Sequence, residues 1–175
     1  MTSTYRIASA RSEDIAFVPA IELAAAQLLA GHTPESVLSE TTSIHELNHA
    51  QRSGRLWVAL ANDVPVGFAH VTVLESTAAH LDELDVHPDH GRRGLGTKLV
   101  LEVCAWAATN RYGSVTLTTF RDVKWNMPFY ARLGFREIES AQLSPELRSV
   151  VEDETRRGLD PARRVVMRRL VDSSR

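Results

Sequence analysis

The stretch Leu81 to Val103, LDELDVHPDHGRRGLGTKLVLEV, decides how this chain is read. LDELDV alternates imperfectly and breaks at His87-Pro88, as a strand does when it runs into a loop. From Gly94 onwards Leu95, Leu99, Val103 and Trp106 recur at helical spacing and predict one apolar helix face. Between them lies HPDHGRRG, short and rich in glycine and arginine. A strand, a glycine loop and a helix N-terminus together bind phosphate, because the unpaired N–H groups of the first turn and the helix dipole both favour an anion. Glycine lets the backbone come close because it carries no Cβ. Arg92 and Arg93 add cationic donors.

The glycine order excludes two common nucleotide loops. Gly91, Gly94 and Gly96 read GxxGxG, where the dinucleotide fingerprint needs GxGxxG. Gly91 and Gly96 have the spacing of a P-loop, but Thr97-Lys98 stands where that loop needs Lys followed by Ser or Thr.

A chain of 175 residues suffices for one α/β domain with its own core, and residues 1–175 are expected to form that single domain. A formal net charge of −2 argues against a nucleic-acid partner. The arginines between Arg156 and Arg175 read as solvated faces of a helix and a strand. The single cysteine, Cys104, allows no intrachain disulfide, suits a reducing compartment and lies inside the predicted helix as a small apolar residue. MTSTYRIASA lacks a hydrophobic signal region, and no apolar run reaches membrane-spanning length. The expectation is a cytoplasmic protein with no membrane partner.

Along the chain, Tyr5 to Ser9 is a strand, and Ser12-Glu13-Asp14 starts a helix ending near Gly31. Pro34 to Thr42 is a short helix or loop, and Ser43 to Arg52 a helix closed by Gly54. Leu56–Ala61 and Val64–Leu74 form a hairpin around Asn62-Asp63. Ala78–Val86 feeds the glycine loop, and the Gly94 helix runs to about Asn110. Ser114–Thr119, a short helix Met127–Leu133 stopped by Gly134, and the strand Phe135–Glu139 follow. Pro145–Arg157 is helical and Arg164–Leu170 the last strand.

The glycine loop, entered from Val86-x-Pro88, resembles motif A of the GNAT superfamily of N-acetyltransferases, [QR]xxGx[GA]; Gly91 stands at the Gln/Arg position. WNMPFYARLGF, Trp125 to Phe135, resembles motif B of the same family through Asn126, Tyr130, Gly134 and Phe135. The order of elements fits that family's fold, and the resemblance is strongest over Trp57 to Phe135. It implies an α/β (α+β) fold, with a mixed, mostly antiparallel sheet flanked by helices and splayed at the strand before the loop. It implies acetyl-CoA as co-substrate. The pyrophosphate would lie on Gly91, Arg92, Arg93, Gly94, Leu95, Gly96 and Thr97, with pantetheine paired as an added strand to Leu84, Asp85 and Val86. Asn126 would bond the pantetheine or phosphate region. Tyr130 would be the acid that protonates the departing thiolate, since a phenol holds its proton at neutral pH.

Attack by an amine needs a base. The strand AHLDELDV offers His80, Asp82, Glu83 and Asp85. Alternation puts His80 and Asp82 on one face and Glu83 and Asp85 on the other. The strand resembles that of the arylalkylamine N-acetyltransferases, whose paired histidines fall on His80 and Asp82 here. The histone acetyltransferase glutamate falls on His80 by the same count. His80 and Asp82 are therefore the first candidates, with Glu83 second if a bulge turns it. The acidic strand points towards a cationic acceptor, such as a polyamine, a lysine side chain or an aminoglycoside.

His45-Glu46-Leu47-Asn48-His49 is a literal HExxH, the zinc-peptidase pattern. Arg52 stands where the extended motif needs glycine, and Ser43-x-x-Glu46 already reads as a capping box. The leading expectation is an N-acetyltransferase acting on a primary amine of a small molecule or peptide, with no resident metal. In it His45 or His49 borders the acceptor cleft, and a homodimer is among the assemblies that the resemblance allows. The alternatives are a non-catalytic CoA-binding regulator and a zinc hydrolase built on His45, Glu46 and His49.

Overall fold

The computed structural model describes residues 4–172. It contains seven strands, β1 (Tyr5–Ser9), β2 (Leu56–Ala61), β3 (Val64–Glu75), β4 (Ala78–Val86), β5 (Ser114–Phe120), β6 (Arg136–Glu137) and β7 (Arg164–Leu170). Six α-helices accompany them: α1 (Val18–Ala26), α2 (Glu35–Leu38), α3 (Ile44–Arg52), α4 (Leu95–Thr109), α5 (Met127–Arg132) and α6 (Pro145–Arg156). The strands form one mixed, mostly antiparallel sheet in the order β1-β2-β3-β4-β5-β7-β6. This is the α/β architecture expected from the sequence. No helix among the described residues is long and apolar enough to cross a membrane.

The chain divides into two compact units. The first holds the residues up to Thr72 together with Leu81–Val103. Its core joins Ile15, Val18 and Ile21 to Leu47 and Ala50 of α3, Leu56, Val58 and Leu60 of β2, and Phe68 of β3. The second holds Val73–His80 and the residues from Cys104 onwards. There Leu147 of α6 packs with Ile138 and Val166, flanked by Leu74, Leu143 and Val151. Strands β3 and β4 and helix α4 pass from one unit to the other. The parallel ladder between β4 and β5 covers only Ala78–His80 against Ser114–Thr116 and stops there, as the expected splay requires.

Local chemistry explains most boundaries. Asn62 and Asp63 both take positive φ, +47° and +68°, which asparagine and aspartate tolerate best in a tight hairpin. Ser43 caps α3: its hydroxyl accepts from Glu46 N, and the Glu46 carboxylate accepts from Ser43 N at 3.1 Å. Gly134 ends α5 at φ +88°.

Three elements differ from the sequence expectation. The helix predicted from Ser12 to Gly31 is broken into a 3-10 turn at Ser12–Phe17, α1, and a second 3-10 turn at Gln27–Leu29. Pro19 supplies no N–H and is tolerated only in the first turn of an α-helix, so the regular helix begins beside it. The strand predicted over Phe135–Glu139 shrinks to Arg136–Glu137. On α4, Leu95, Leu99 and Val103 are buried as expected, whereas Trp106 is only half-buried and stacks on Tyr112 at 5.4 Å.

One glycine controls how β4 lies on β3. A Cβ on Gly67 would stand 2.9 Å from the Asp85 carbonyl oxygen and 3.1 Å from Val86 Cγ2. Nearby, His87 N donates to Val66 O at 2.8 Å. Gly67→Ala is expected to destabilise the fold by about 1–3 kcal/mol, because backbone must move to admit the methyl group. A urea midpoint unchanged from wild type would show that β4 yields without cost.

Candidate active site

The glycine loop folds through two left-handed residues, Arg92 at φ +56° and Gly94 at φ +75°. A Cβ at Gly94 would meet nothing within 4 Å, so the conformation demands glycine there and the space beyond is open. Lys98 N makes the first intrahelical bond of α4, to Gly94 O at 3.1 Å. The amides of Leu95, Gly96 and Thr97 precede it and form the first turn, whose N–H groups have no intrahelical acceptor. Leu95 anchors that turn in the core at 2% exposure. Arg93 lies over the Tyr5 ring at 5.5 Å, and Tyr5 Oη bonds His90 Nδ1 at 3.0 Å.

Gly91, odd against the motif, has a packing reason. Its φ of −63° suits any residue. Its N–H donates to Pro88 O at 3.0 Å, and a Cβ would stand 3.1 Å from that oxygen. A long side chain at this position would have to loosen the turn.

In the second motif, Asn126 precedes α5 and caps it through its backbone alone. Its carbonyl accepts from Phe129 N at 2.9 Å and Tyr130 N at 3.1 Å. The Tyr130 ring makes edge contacts with Phe129 at 5.0 Å and Phe135 at 5.7 Å. Those contacts fix the ring and give the aromatic residues the packing role that any core cluster has.

Along β4 the base candidates have different surroundings. His80 is 2% exposed, and its Nδ1 lies 2.9 Å from Thr116 Oγ1. The Thr116 hydroxyl also lies 3.4 Å from Ala79 O, so it can donate there and accept from His80 Nδ1. Asp82 is partly exposed, with Oδ2 3.4 Å from His70 Nδ1. Glu83 is half-buried. Asp85 keeps some surface, but its carboxyl is enclosed; burial and the charge of Glu22 push it up to about 8.

Glu22, on α1, is buried and takes the Thr42 N–H at 2.9 Å and the Thr42 hydroxyl at 3.0 Å. Burial outweighs these bonds and holds its carboxyl above the usual range. Glu46 behaves oppositely, because the Ser43 hydroxyl and N–H hold it low. That bond pattern is the capping box expected at Ser43. His45 and His49 are exposed on α3. Among the described residues no cluster of three His, Cys, Asp or Glu side chains has the arrangement of a metal site.

A family model described as "Acetyltransferase (GNAT) family" matches residues 22–135, from α1 to the residue after the α5 turn. The chain belongs to the GNAT acetyltransferase family. It is an acetyl-CoA-dependent N-acetyltransferase, and an amine is its acceptor. The PaiA N-acetyltransferase from Thermoplasma acidophilum, in complex with coenzyme A, superposes with TM-score 0.73 at 16% identity, over 95% of this chain and 99% of that one. Rv2747 from Mycobacterium tuberculosis, in complex with CoA, does so with TM-score 0.68 at 23% identity, over 95% and 99%. The ribosomal-protein-S18-alanine N-acetyltransferase from Escherichia coli gives 0.66 at 17%, over 97% and 95%. At these identities the likeness is one of fold.

Sequence reasoning overlooked two groups of this acetyltransferase, Glu22 and His70. Each carried a signal. Glu22 is the one charged residue of the α1 sequence VPAIELAAA, and His70 interrupts the apolar run FAHVTV. A polar side chain enclosed by apolar neighbours needs a reason.

The raised carboxyls predict a pH dependence. A carboxyl with a raised folded pKa binds more protons folded than unfolded between its two pKa values. Its effect is absent below the unfolded value, and stability falls as pH rises from about 4 to about 8. The charge of Glu22 acts on Asp85, and His70 and Asp82 act on Glu22. Urea unfolding across this range should show the decline in wild type and a shallower one in Asp85→Asn. A flat wild-type profile would mean that both carboxyls ionise normally.

Proposed function

We propose that the glycine loop and the first turn of α4 hold the acetyl-CoA pyrophosphate, that Leu84, Asp85 and Val86 pair with pantetheine through their backbones, and that Tyr130 is the acid. The observation that carries this is Gly94: a left-handed residue facing open space at the start of a helix whose first bond is Lys98 N to Gly94 O. A pyrophosphate fits such a cradle, with amides 92–97 as donors and Arg92 as a cation beside them, the Gly91 N–H being taken by Pro88 O. Asn126 is assigned to the pantetheine or phosphate region, its side chain being unused in capping α5.

The chemistry needs three proton transfers. The base, His80 or Asp82, takes a proton from the acceptor ammonium; Glu83 is the second choice. The free amine attacks the thioester carbonyl carbon, and a strand N–H stabilises the oxyanion. As the tetrahedral intermediate collapses, the C–S bond breaks, the thiolate takes a proton from Tyr130, and the attacking nitrogen gives up its second proton to restore the Tyr130 phenol. The products are an N-acetyl amide and CoA with a free thiol. The acceptor is a primary amine of a small molecule or peptide. The single cysteine suits a cytoplasmic setting.

Tyr130→Phe should lower the amine-dependent release of free thiol by about a hundredfold or more, with CoA affinity by calorimetry close to wild type. Full activity in that variant would remove Tyr130 from the acid role. A chain that binds CoA but releases no thiol with any amine would be a regulator.

A further inference from the structure

We propose that the cavity between β6 and the end of β7 is a second ligand site, and that it takes a small organic anion bearing phosphate or carboxylate groups. Arg136, Arg168 and Arg169 line this one cavity. The site stands apart from the transferase chemistry, since none of its wall residues belongs to the glycine loop, to β4 or to α5.

The cavity measures about 520 Å³, within the range that holds a small molecule. It lies wholly in the second unit, where β6 is an edge strand beside β7. Arg136 and Arg168 are direct cross-strand partners there. In an antiparallel pair such residues project from the same face, and like charges so placed repel each other. Arg169 follows on β7 and passes Gly134, with Nε 3.8 Å from where a Cβ of that glycine would stand. Gln142 adds an amide donor, and Ile138 and Leu170 add apolar surface.

The described residues do not neutralise this charge. Glu137 is the acid of the wall, and both its oxygens are taken by Arg121, at 2.9 and 2.6 Å. Among the described residues no carboxylate forms an ion pair with Arg136, Arg168 or Arg169. Arg136 Nη1 donates to Phe135 O at 3.1 Å and Ala131 O at 3.3 Å, which holds the guanidinium in place and leaves its charge intact. Arg169 bonds the Cys104 thiol, and burial pushes that thiol up, so this partner stays neutral. Arg168 Nε is buried and has no hydrogen-bond partner among the described residues. A buried N–H of a cation is costly when unpaired.

A cation would be repelled by this wall, and a neutral ligand would leave the repulsion between Arg136 and Arg168 in place. A multi-oxygen anion accepts from both guanidiniums at once and removes it. The planar fork of Arg168 suits a carboxylate or a phosphate, each of which accepts two parallel N–H bonds. The apolar part of the wall favours an organic anion over a bare ion.

The test titrates pyrophosphate and citrate into the full chain by calorimetry, with CoA held at saturation and sodium chloride at matched ionic strength as control. At least one of the two should bind saturably, and which one does so decides between phosphate and carboxylate. Arg168→Gln and Arg136→Gln should each weaken that binding by about tenfold or more, the scale of one charge-assisted hydrogen bond. Arg168→Lys keeps the charge, loses the fork and should weaken it as well. Thermal unfolding supplies a readout that a merely structural role would not give. Without the anion, Arg168→Gln should melt no lower than wild type, because a repulsion is removed; with the anion, wild type should gain more than the variant. No saturable binding, or equal binding in wild type and both glutamine variants, overturns the proposal. So does an Arg168→Gln chain that melts well below wild type without added anion. A dimer that dissociates in Arg168→Gln while neither probe binds would assign these arginines to acidic groups of a second copy, and would overturn it too.

Discussion

At Gly67 the Asp85 carbonyl comes to 2.9 Å from where a Cβ would stand, and much of the site follows from that approach. It draws the second half of β4 onto β3, where His87 N meets Val66 O. The Asp85 backbone is thereby fixed in the segment proposed to pair with pantetheine. The strand is then delivered to the Pro88 turn, which Gly91 tightens through its bond to Pro88 O. The left-handed step at Gly94 follows and opens α4. Close backbone packing and the shape of the glycine loop are thus consecutive consequences of small residues at 67, 91 and 94.

The same approach brings carboxyls into an enclosed space. Asp85 meets the charge of Glu22, and Asp82 meets His70. Buried like charges are unfavourable, and the protein tolerates them by raising carboxyl pKa values rather than by adding an arginine. Glu46 illustrates the ordinary alternative. Its carboxylate is exposed and used by Ser43 in a helix cap, so it titrates low and its HExxH setting serves α3.

Much of this was legible in the sequence, where local chemistry decides. The bounds of β1, β2, β4 and β7 follow from alternation and turn residues, and the Ser43 capping box and the glycine-loop helix from their own side chains. What was not legible depends on residues distant in the chain. Gly67 matters only because β4 arrives over it. Glu22 and His70 matter only because α1 and β3 bring them to the carboxylates of β4. Alternation along β4 places Asp82 and Asp85 on opposite faces, yet Asp82 acts on Glu22 and Glu22 on Asp85. The helix expected after Ser12 fragments because Pro19 limits where a regular helix starts.

The central claim is that the Gly94 loop receives the acetyl-CoA pyrophosphate. Calorimetric titration of CoA into wild type, Gly94→Asn and Gly94→Asp tests it most directly. Asparagine tolerates the left-handed conformation and has the size of aspartate without its charge. Wild type should bind, Gly94→Asn should bind more weakly, and Gly94→Asp should lose at least about tenfold more affinity than Gly94→Asn, with all three equally folded by circular dichroism. Equal CoA affinity in the aspartate and asparagine variants would contradict an anion on this loop.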